Sequence, residues 1–244
     1  LDLNTLKTLF FSLFRALESE GYFQQHFGYD CVDDGFVAGA LGPDIEAQLL
    51  LHLRKSSMWP ISQHLDIYEE HDLFDMIEFL YDHVSKPIEG RYHNWNNCGM
   101  HYSVFESKDG REHFRTNVNV LLSSYANGFV LSEEGEIQHA PDSGFERIMG
   151  AAIPTDRDRD IKQKIEDAKL RFLSRSSSID TRRDAIRELA DVLELLRADV
   201  KTHLASADES DLFNLANNFA IRHHNGLQKA EYDTAIWHSW MFYY

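Results

Sequence analysis

The sequence predicts a mainly α-helical fold with a small antiparallel β element. Over most of the chain, apolar residues recur at intervals of three and four, as on the buried face of a helix. One short middle segment instead alternates between apolar and polar residues, as a strand does. Hydrophobic residues make up 43% and charged residues 26% of the 244 residues, which is typical of a folded protein with a sizeable core.

The first 90 residues are expected to form three helices separated by turns. Residues 3–17 carry an apolar stripe, and several glycines break the chain over 22–43. Asp44 stands where an N-cap is expected, directly before a second apolar stripe. The third helix is expected over 69–84, with acidic residues in its first turn, where the helix dipole favours negative charge.

The middle of the chain, 91–144, contains the predicted β element. Residues 101–105 alternate like a strand, and 108–110 (Lys-Asp-Gly) read as a hairpin turn. A short helix is expected over 114–125. A second hairpin is expected around the turn at 133–135.

The chain after residue 155 is expected to be helical throughout. A helix at 161–172 precedes a serine-rich loop, and one long helix then continues to Val200. Two shorter helices follow. Asp180 or Thr181 is expected to cap the long helix, Asp208 or Ser210 to begin the next, and Asp233 to cap the last.

The acidic segment 156–160 is the best candidate for a linker, so we predict two domains. Residues 1–155 would form an α+β region, which we interpret as sensing or regulatory. Residues 156–244 would form a C-terminal helical domain.

Charge and composition exclude several functions. The formal net charge of −16 repels phosphate backbones, so non-specific DNA binding is not expected, although a local basic site for RNA is still allowed. There is no run of about 18 apolar residues, so no membrane span is expected. Two cysteines are too few for a disulfide-stapled scaffold, which favours the reducing cytoplasm.

A polar cluster near the C terminus is the predicted working site. Its residues are Arg222, His223 and His224 as catalytic candidates, with Asn217, Asn218 and Asn225 in support. At 100° per residue, His223 falls on the inward line of its helix and Arg222 lies beside it. Arginine suits phosphate, and histidine can move a proton near neutral pH. Together they suit RNA cleavage without a metal, in which one group deprotonates a 2′-hydroxyl and another stabilises charge on phosphate.

Other interpretations of this cluster stay open. His223 can equally be a hydrogen-bonded core histidine, and Arg222 can cap carbonyls at a helix C terminus. Arg222 can also grip a phosphate or carboxylate in a small-molecule sensor. A non-catalytic assembly module is a further alternative, because the aromatic end at 237–244 is large enough to form an interface.

The C-terminal region resembles a known group of proteins. The helix at 183–194, the stretch 217–225 and the aromatic closing helix resemble the helical C-terminal domains of bacterial abortive-infection-type proteins, and more distantly the HEPN superfamily. The resemblance implies a helical bundle, often dimeric, that in many members cleaves RNA without a metal or other cofactor. It also implies an intracellular protein of antiviral defence or of the toxin type.

Two positions of the HEPN motif can be carried over. Arg222 matches the arginine of the motif, and His223 matches the polar residue that follows it. The sequence departs from the motif at its final histidine, because the next histidine after His224 is His238. His224 is the remaining candidate for that role.

The sequence predicts no cofactor, but one segment contains weaker candidates for metal binding. His93, Cys98 and His101 carry the side chains that zinc accepts, with Cys31 or His113 as a possible fourth ligand. Ordinary packing beside the neighbouring aromatic residues is the alternative explanation for this segment.

Overall fold

The computed structural model describes residues 1–126, 128–142, 144–153, 159–218 and 233–243. The helices are α1 (Leu3–Ser19), α2 (Gln24–Phe27), α3 (Ile45–Leu53), α4 (Ile61–His64), α5 (Glu70–His83), α6 (Ser107–Leu122), α7 (Glu146–Met149), α8 (Arg159–Leu173), α9 (Ile179–Leu195), α10 (Arg197–His203), α11 (Ser206–Asn218) and α12 (Thr234–Tyr243). The strands are β1 (Tyr29–Cys31), β2 (Gly35–Val37), β3 (Lys86–His93), β4 (Gly99–Glu106), β5 (Phe129–Leu131) and β6 (Ile137–His139). The predicted class, mainly α with a small antiparallel β element, is confirmed.

The chain divides into two compact units, residues 1–137 and 138–244. The sequence placed the division near residue 155, and residues 154–158 lie outside the described part of the chain. Within the described residues, every helix is too short or too polar to cross a lipid bilayer.

The core of the first unit is built on the apolar stripes of α1, α5 and α6. Phe10 of α1, Phe74 of α5 and Phe114 of α6 are almost completely shielded from solvent. Removing a buried ring of this size costs about 3–5 kcal/mol, so these helices are fixed firmly in place. The shorter elements that follow α1 and α5 are therefore attached to a rigid base.

Local capping explains where these helices begin. Asp44 caps α3 as predicted, since its carboxylate accepts a hydrogen bond from the amide of Ala47 at 3.0 Å. At the start of α5, Glu69 and Asp72 form a reciprocal capping box. The acidic residues noticed in the sequence at this point therefore stabilise a helix terminus.

The β structure consists of three two-stranded sheets in the described chain, β1–β2, β3–β4 and β5–β6. The strand expected over 101–105 and the hairpin around 133–135 are confirmed. The hairpin turn expected at 108–110 is wrong, because these residues form the first turn of α6. The partner of β4 is the preceding strand, β3, paired antiparallel.

Gly110 shows why the turn prediction failed. A Cβ atom there would come within 2.5 Å of the backbone nitrogen of Lys86. The glycine is therefore needed for a close approach between α6 and the start of β3, and a sharp turn is not required at this position.

The second unit is helical, with α8, α9 and α12 around a small aromatic core. The rings of Phe172 and Phe242 stack with their centroids 3.8 Å apart. Phe145 and Tyr243 stack in the same way at 4.3 Å. On α12, Trp240 is 61% exposed, so the aromatic end supplies both core and surface residues.

Three details of the second unit differ from the sequence predictions. The long helix to Val200 is broken at Leu196 into α9 and α10. The break lets Arg197 stack on the ring of Phe213 at 4.2 Å and pair with Glu209 at 3.1 Å. The cap of α9 is Ser178 instead of Asp180 or Thr181, and α11 begins at Ser206 instead of Asp208 or Ser210. The expected cap at Asp233 is confirmed, because it accepts from the amide of Ile236 at 3.2 Å.

Candidate metal centre

Four potential metal ligands meet in the first unit. Cys31 ends β1, His93 ends β3, Cys98 lies in the turn after β3, and His101 lies on β4. One ligand atom from each residue lies within 4.8 Å of every other. Among the described residues, this is the single group of three or more such side chains close enough to hold one ion.

The spacing of the ligand atoms fits tetrahedral zinc. With Zn–S near 2.3 Å and Zn–N near 2.05 Å, a tetrahedral site places sulfur and nitrogen about 3.6 Å apart. Cys31 Sγ lies 3.8 Å from His93 Nδ1, and Cys98 Sγ lies 3.2 Å from His101 Nε2. The two distances fall on either side of the expected value, and every other pair of ligand atoms lies within 4.8 Å.

The turn between β3 and β4 brings three of the ligands together. His93 stands opposite Gly99 in the antiparallel register, so the chain must reverse within 94–98. Asn96 and Asn97 adopt left-handed backbone conformations with φ of 47° and 56°, which asparagine tolerates better than most residues. Gly99 follows with φ of 101°, a conformation that strongly favours glycine.

Cys31 arrives from a separate hairpin, which is held beside β4 without using the ligands. The side-chain nitrogen Nε2 of Gln24 in α2 donates to the backbone carbonyl of Met100 at 2.9 Å. Its side-chain oxygen accepts from the amide of Tyr102 at 3.0 Å. Gln24 thus occupies hydrogen-bonding positions along β4 and anchors the chain just before β1, so the fold itself positions Cys31 opposite the β3–β4 turn.

Acidic groups surround the four ligands. Asp33 Oδ2 lies 3.2 Å from His93 Nε2, so the other ring nitrogen, Nδ1, faces the cluster. Asp34 Oδ2 lies 3.6 Å from the thiol of Cys31. A carboxylate that accepts from the distal ring nitrogen of a metal-binding histidine fixes its tautomer and its orientation. The role of Asp33 was not predicted, because nothing local in the sequence links it to a histidine 60 positions away.

The cluster is closed on one side by aromatic packing. The ring of Tyr29 stacks on His101 with centroids 4.3 Å apart. Burial, followed by the nearby Cys31 and Asp34, raises the pKa of the Tyr29 phenol. Cys31 is buried and the other three ligands are half-buried, so the group is shielded without being sealed.

Of the two residues considered for a fourth ligand, the structure places Cys31, and not His113, beside the other three candidates. His113 lies on α6, stacks on Tyr22 at 5.3 Å and is hydrogen-bonded to Asn117, apart from the cluster. Cys31 joins His93, Cys98 and His101 instead. Local spacing in the sequence thus indicated three candidate ligands, and the tertiary structure brings one of the two remaining candidates, Cys31, beside them.

The predicted C-terminal site cannot be assembled from the described atoms. Arg222, His223, His224 and Asn225 lie outside the described residues, which resume at 233. Asn217 and Asn218 belong to the last turn of α11, but their side chains also lie outside the description. The next histidine along the chain, His238, is buried in α12, and burial together with Arg183 and Arg182 lowers its pKa.

Comparison of the chain with protein-family models, curated proteins and solved structures gives no match.

Proposed function

We propose that the N-terminal unit is a zinc-binding module, with Cys31, His93, Cys98 and His101 as the ligands. The observation that carries the proposal is the convergence of these four ligand atoms within 4.8 Å from two separate hairpins. Four protein ligands leave no open position for substrate, so the metal's role is structural. It joins hairpin β1–β2 to hairpin β3–β4.

The ligand chemistry selects zinc among the common divalent cations. Two thiolates and two imidazoles form a set typical of tetrahedral zinc, whereas calcium and magnesium prefer oxygen ligands. The surrounding charge also favours a cation, because residues 1–137 contain nine Lys and Arg against 22 Asp and Glu. This negative field attracts a dication from solution, and binding of that ion displaces the two thiol protons.

Zinc content and stability test the proposal directly. Protein refolded with zinc should retain one ion per chain, and a strong chelator should lower its thermal midpoint by several degrees. Cys98→Ser should weaken zinc binding by more than about 100-fold, since a ligand is lost. His113→Asn is the matched control and should bind as tightly as the wild type. Unfolding that is insensitive to chelator, with no zinc retained, would contradict the proposal.

We propose, secondly, that the C-terminal region cleaves RNA without a metal, as a defence or toxin-type activity. This proposal rests on the sequence of the polar cluster and on its HEPN-like resemblance. Arg222 would stabilise charge on the phosphate, and His223 or His224 would move the proton. The exposure of Ile236 and Trp240 on α12 supports the homodimer that the resemblance implies.

RNA cleavage assays test this second proposal. With the chelator EDTA present, the wild type should cleave RNA, and a protein carrying both Arg222→Ala and His223→Ala should be at least about 100-fold slower. Arg197→Ala changes an arginine paired with Glu209 and serves as the control for general loss of charge. Equal cleavage by the wild type and the double variant, or no cleavage of any RNA by the wild type, would reject the catalytic role.

A further inference from the structure

We propose that Cys31 and Cys98 form a reversible disulfide under oxidising conditions, which releases the zinc and makes the module redox-sensitive. The inference rests on the proposed zinc site. These two residues are the chain's only cysteines, and their sulfur atoms lie within 4.8 Å of each other. Because the two cysteines come from different hairpins, a disulfide between them would take over from the metal the role of joining β1–β2 to β3–β4.

The two thiols differ in their access to solvent. Cys31 is buried, whereas Cys98 is half-buried in the β3–β4 turn. An oxidant of the peroxide class therefore reaches Cys98 first. Cys31, shielded beneath it, is placed to act as the resolving cysteine.

The chemistry balances with hydrogen peroxide as the oxidant. The thiolate of Cys98 attacks one oxygen of the peroxide, the O–O bond breaks to give a sulfenic acid, and the other oxygen leaves as hydroxide, which takes up one proton to become water. The thiolate of Cys31 then attacks that sulfur and displaces the remaining oxygen as a second water. In total, two thiolates, one peroxide and two protons give one disulfide and two waters. Zinc leaves as Zn²⁺, with its oxidation state unchanged.

The geometry allows the sulfurs to approach without unfolding the hairpins. Gly99 follows Cys98 directly, and the space that a Cβ would occupy there is open to a distance of 4 Å, so the turn is not crowded beside Cys98. The two hydrogen bonds of Gln24 to β4 do not involve any ligand, so they hold the hairpins in register while the metal leaves. Once the sulfurs are bonded to each other, His93 and His101 alone are too few to retain the ion.

The experiment treats zinc-loaded protein with one equivalent of hydrogen peroxide. Released zinc is followed with a chromogenic chelator, free thiols by titration, and the product by intact mass and peptide mapping. We expect one zinc released for every two thiols lost, a mass decrease of about 2 Da, and a peptide pair joining Cys31 to Cys98. A thiol reductant with added zinc should restore the starting state. Cys31→Ser, which lacks the resolving thiol, should give no such peptide pair.

The outcomes separate this inference from the zinc site itself. If the untreated protein holds zinc but peroxide yields only sulfinic acid, intermolecular disulfides or no release, the redox inference is overturned and the zinc site stands. If the untreated protein retains no zinc, the proposed function fails at the first measurement, before peroxide is added. Metal release together with the intramolecular disulfide supports both.

Discussion

At the scale of single residues, Asp33 is the side chain most able to tune the proposed zinc site. Its carboxylate lies 3.2 Å from His93 Nε2, on the far side of the ring from Cys31. An N–H at Nε2 that donates to this carboxylate leaves the lone pair on Nδ1, directed toward the cluster. The histidine then needs no change of tautomer when the metal binds.

We therefore expect Asp33→Asn to weaken zinc binding by about 10- to 100-fold, because the amide is a poorer acceptor for the ring N–H. Competition against a chromogenic chelator measures the change. Asp30→Asn removes the same charge from the same hairpin, where the contact to Cys98 comes from the backbone carbonyl. Equal losses in both variants would show that general charge, and not orientation of His93, is responsible.

The residues of the site were predictable only where they are close together in the chain. Cys98 and His101 have the short spacing of zinc ligand pairs, and His93 precedes them by a few positions. Cys31 lies 62 residues before His93 in the chain. No periodicity or motif could rank it above His113, because the choice depends on how α2 is anchored to β4.

At the scale of elements, helices were predicted well and strands less well. Apolar periodicity located α1, α5 and α8 because each buries one continuous stripe. Strand β3 was not predicted, and it contains Pro87 and Gly90, two residues that usually interrupt regular structure. Pro87 is accommodated at the start of the strand, next to the register shifts between Pro87 and Glu89 and between Glu89 and Gly90.

Gly90 links this missed strand to the site. A Cβ atom there would come within 2.5 Å of the carbonyl oxygen of His101. The glycine thus permits the close pairing of β3 and β4 that presents His93 and His101 on neighbouring strands. Glycine usually weakens a strand, but here the close pairing of the two strands requires it. A single sequence does not distinguish these two uses of glycine.

At the scale of the whole molecule, the excess of acidic groups and two partly buried histidines change the folding stability with pH in opposite directions. The net charge is −16, and the carboxylates repel one another less as they take up protons, which favours the folded state at lower pH. Partly buried neutral imidazoles have the reverse effect. His26 and His83 pack ring against ring with centroids 5.4 Å apart, near His52, Asp82 and Arg111.

Burial lowers the pKa of both histidines below the ordinary value of 6.5, and for His26 the neighbouring His83 is the next cause. His83 Nδ1 donates to the carbonyl of Phe79 at 2.7 Å, so Nε2 is the nitrogen that would have to accept a proton. The unfolded chain binds protons as pH falls through the ordinary value, whereas the folded chain still resists them. Stability is therefore complete above that pH and declines below it, until the folded-state pKa is reached.

The wild type and the His83→Gln variant share the same acidic groups and zinc ligands, so the effects of these groups on stability cancel when the two proteins are compared. Between about pH 8 and pH 5.5, the urea midpoint of the wild type should fall relative to that of His83→Gln. His71→Gln provides the matched control, because His71 lies on the same helix with its side chain 56% exposed. It should keep the pH dependence of the wild type.

Parallel curves for the wild type and His83→Gln would show that protonation of this cluster does not govern acid stability. A difference confined to His83→Gln would assign the loss to these partly buried rings.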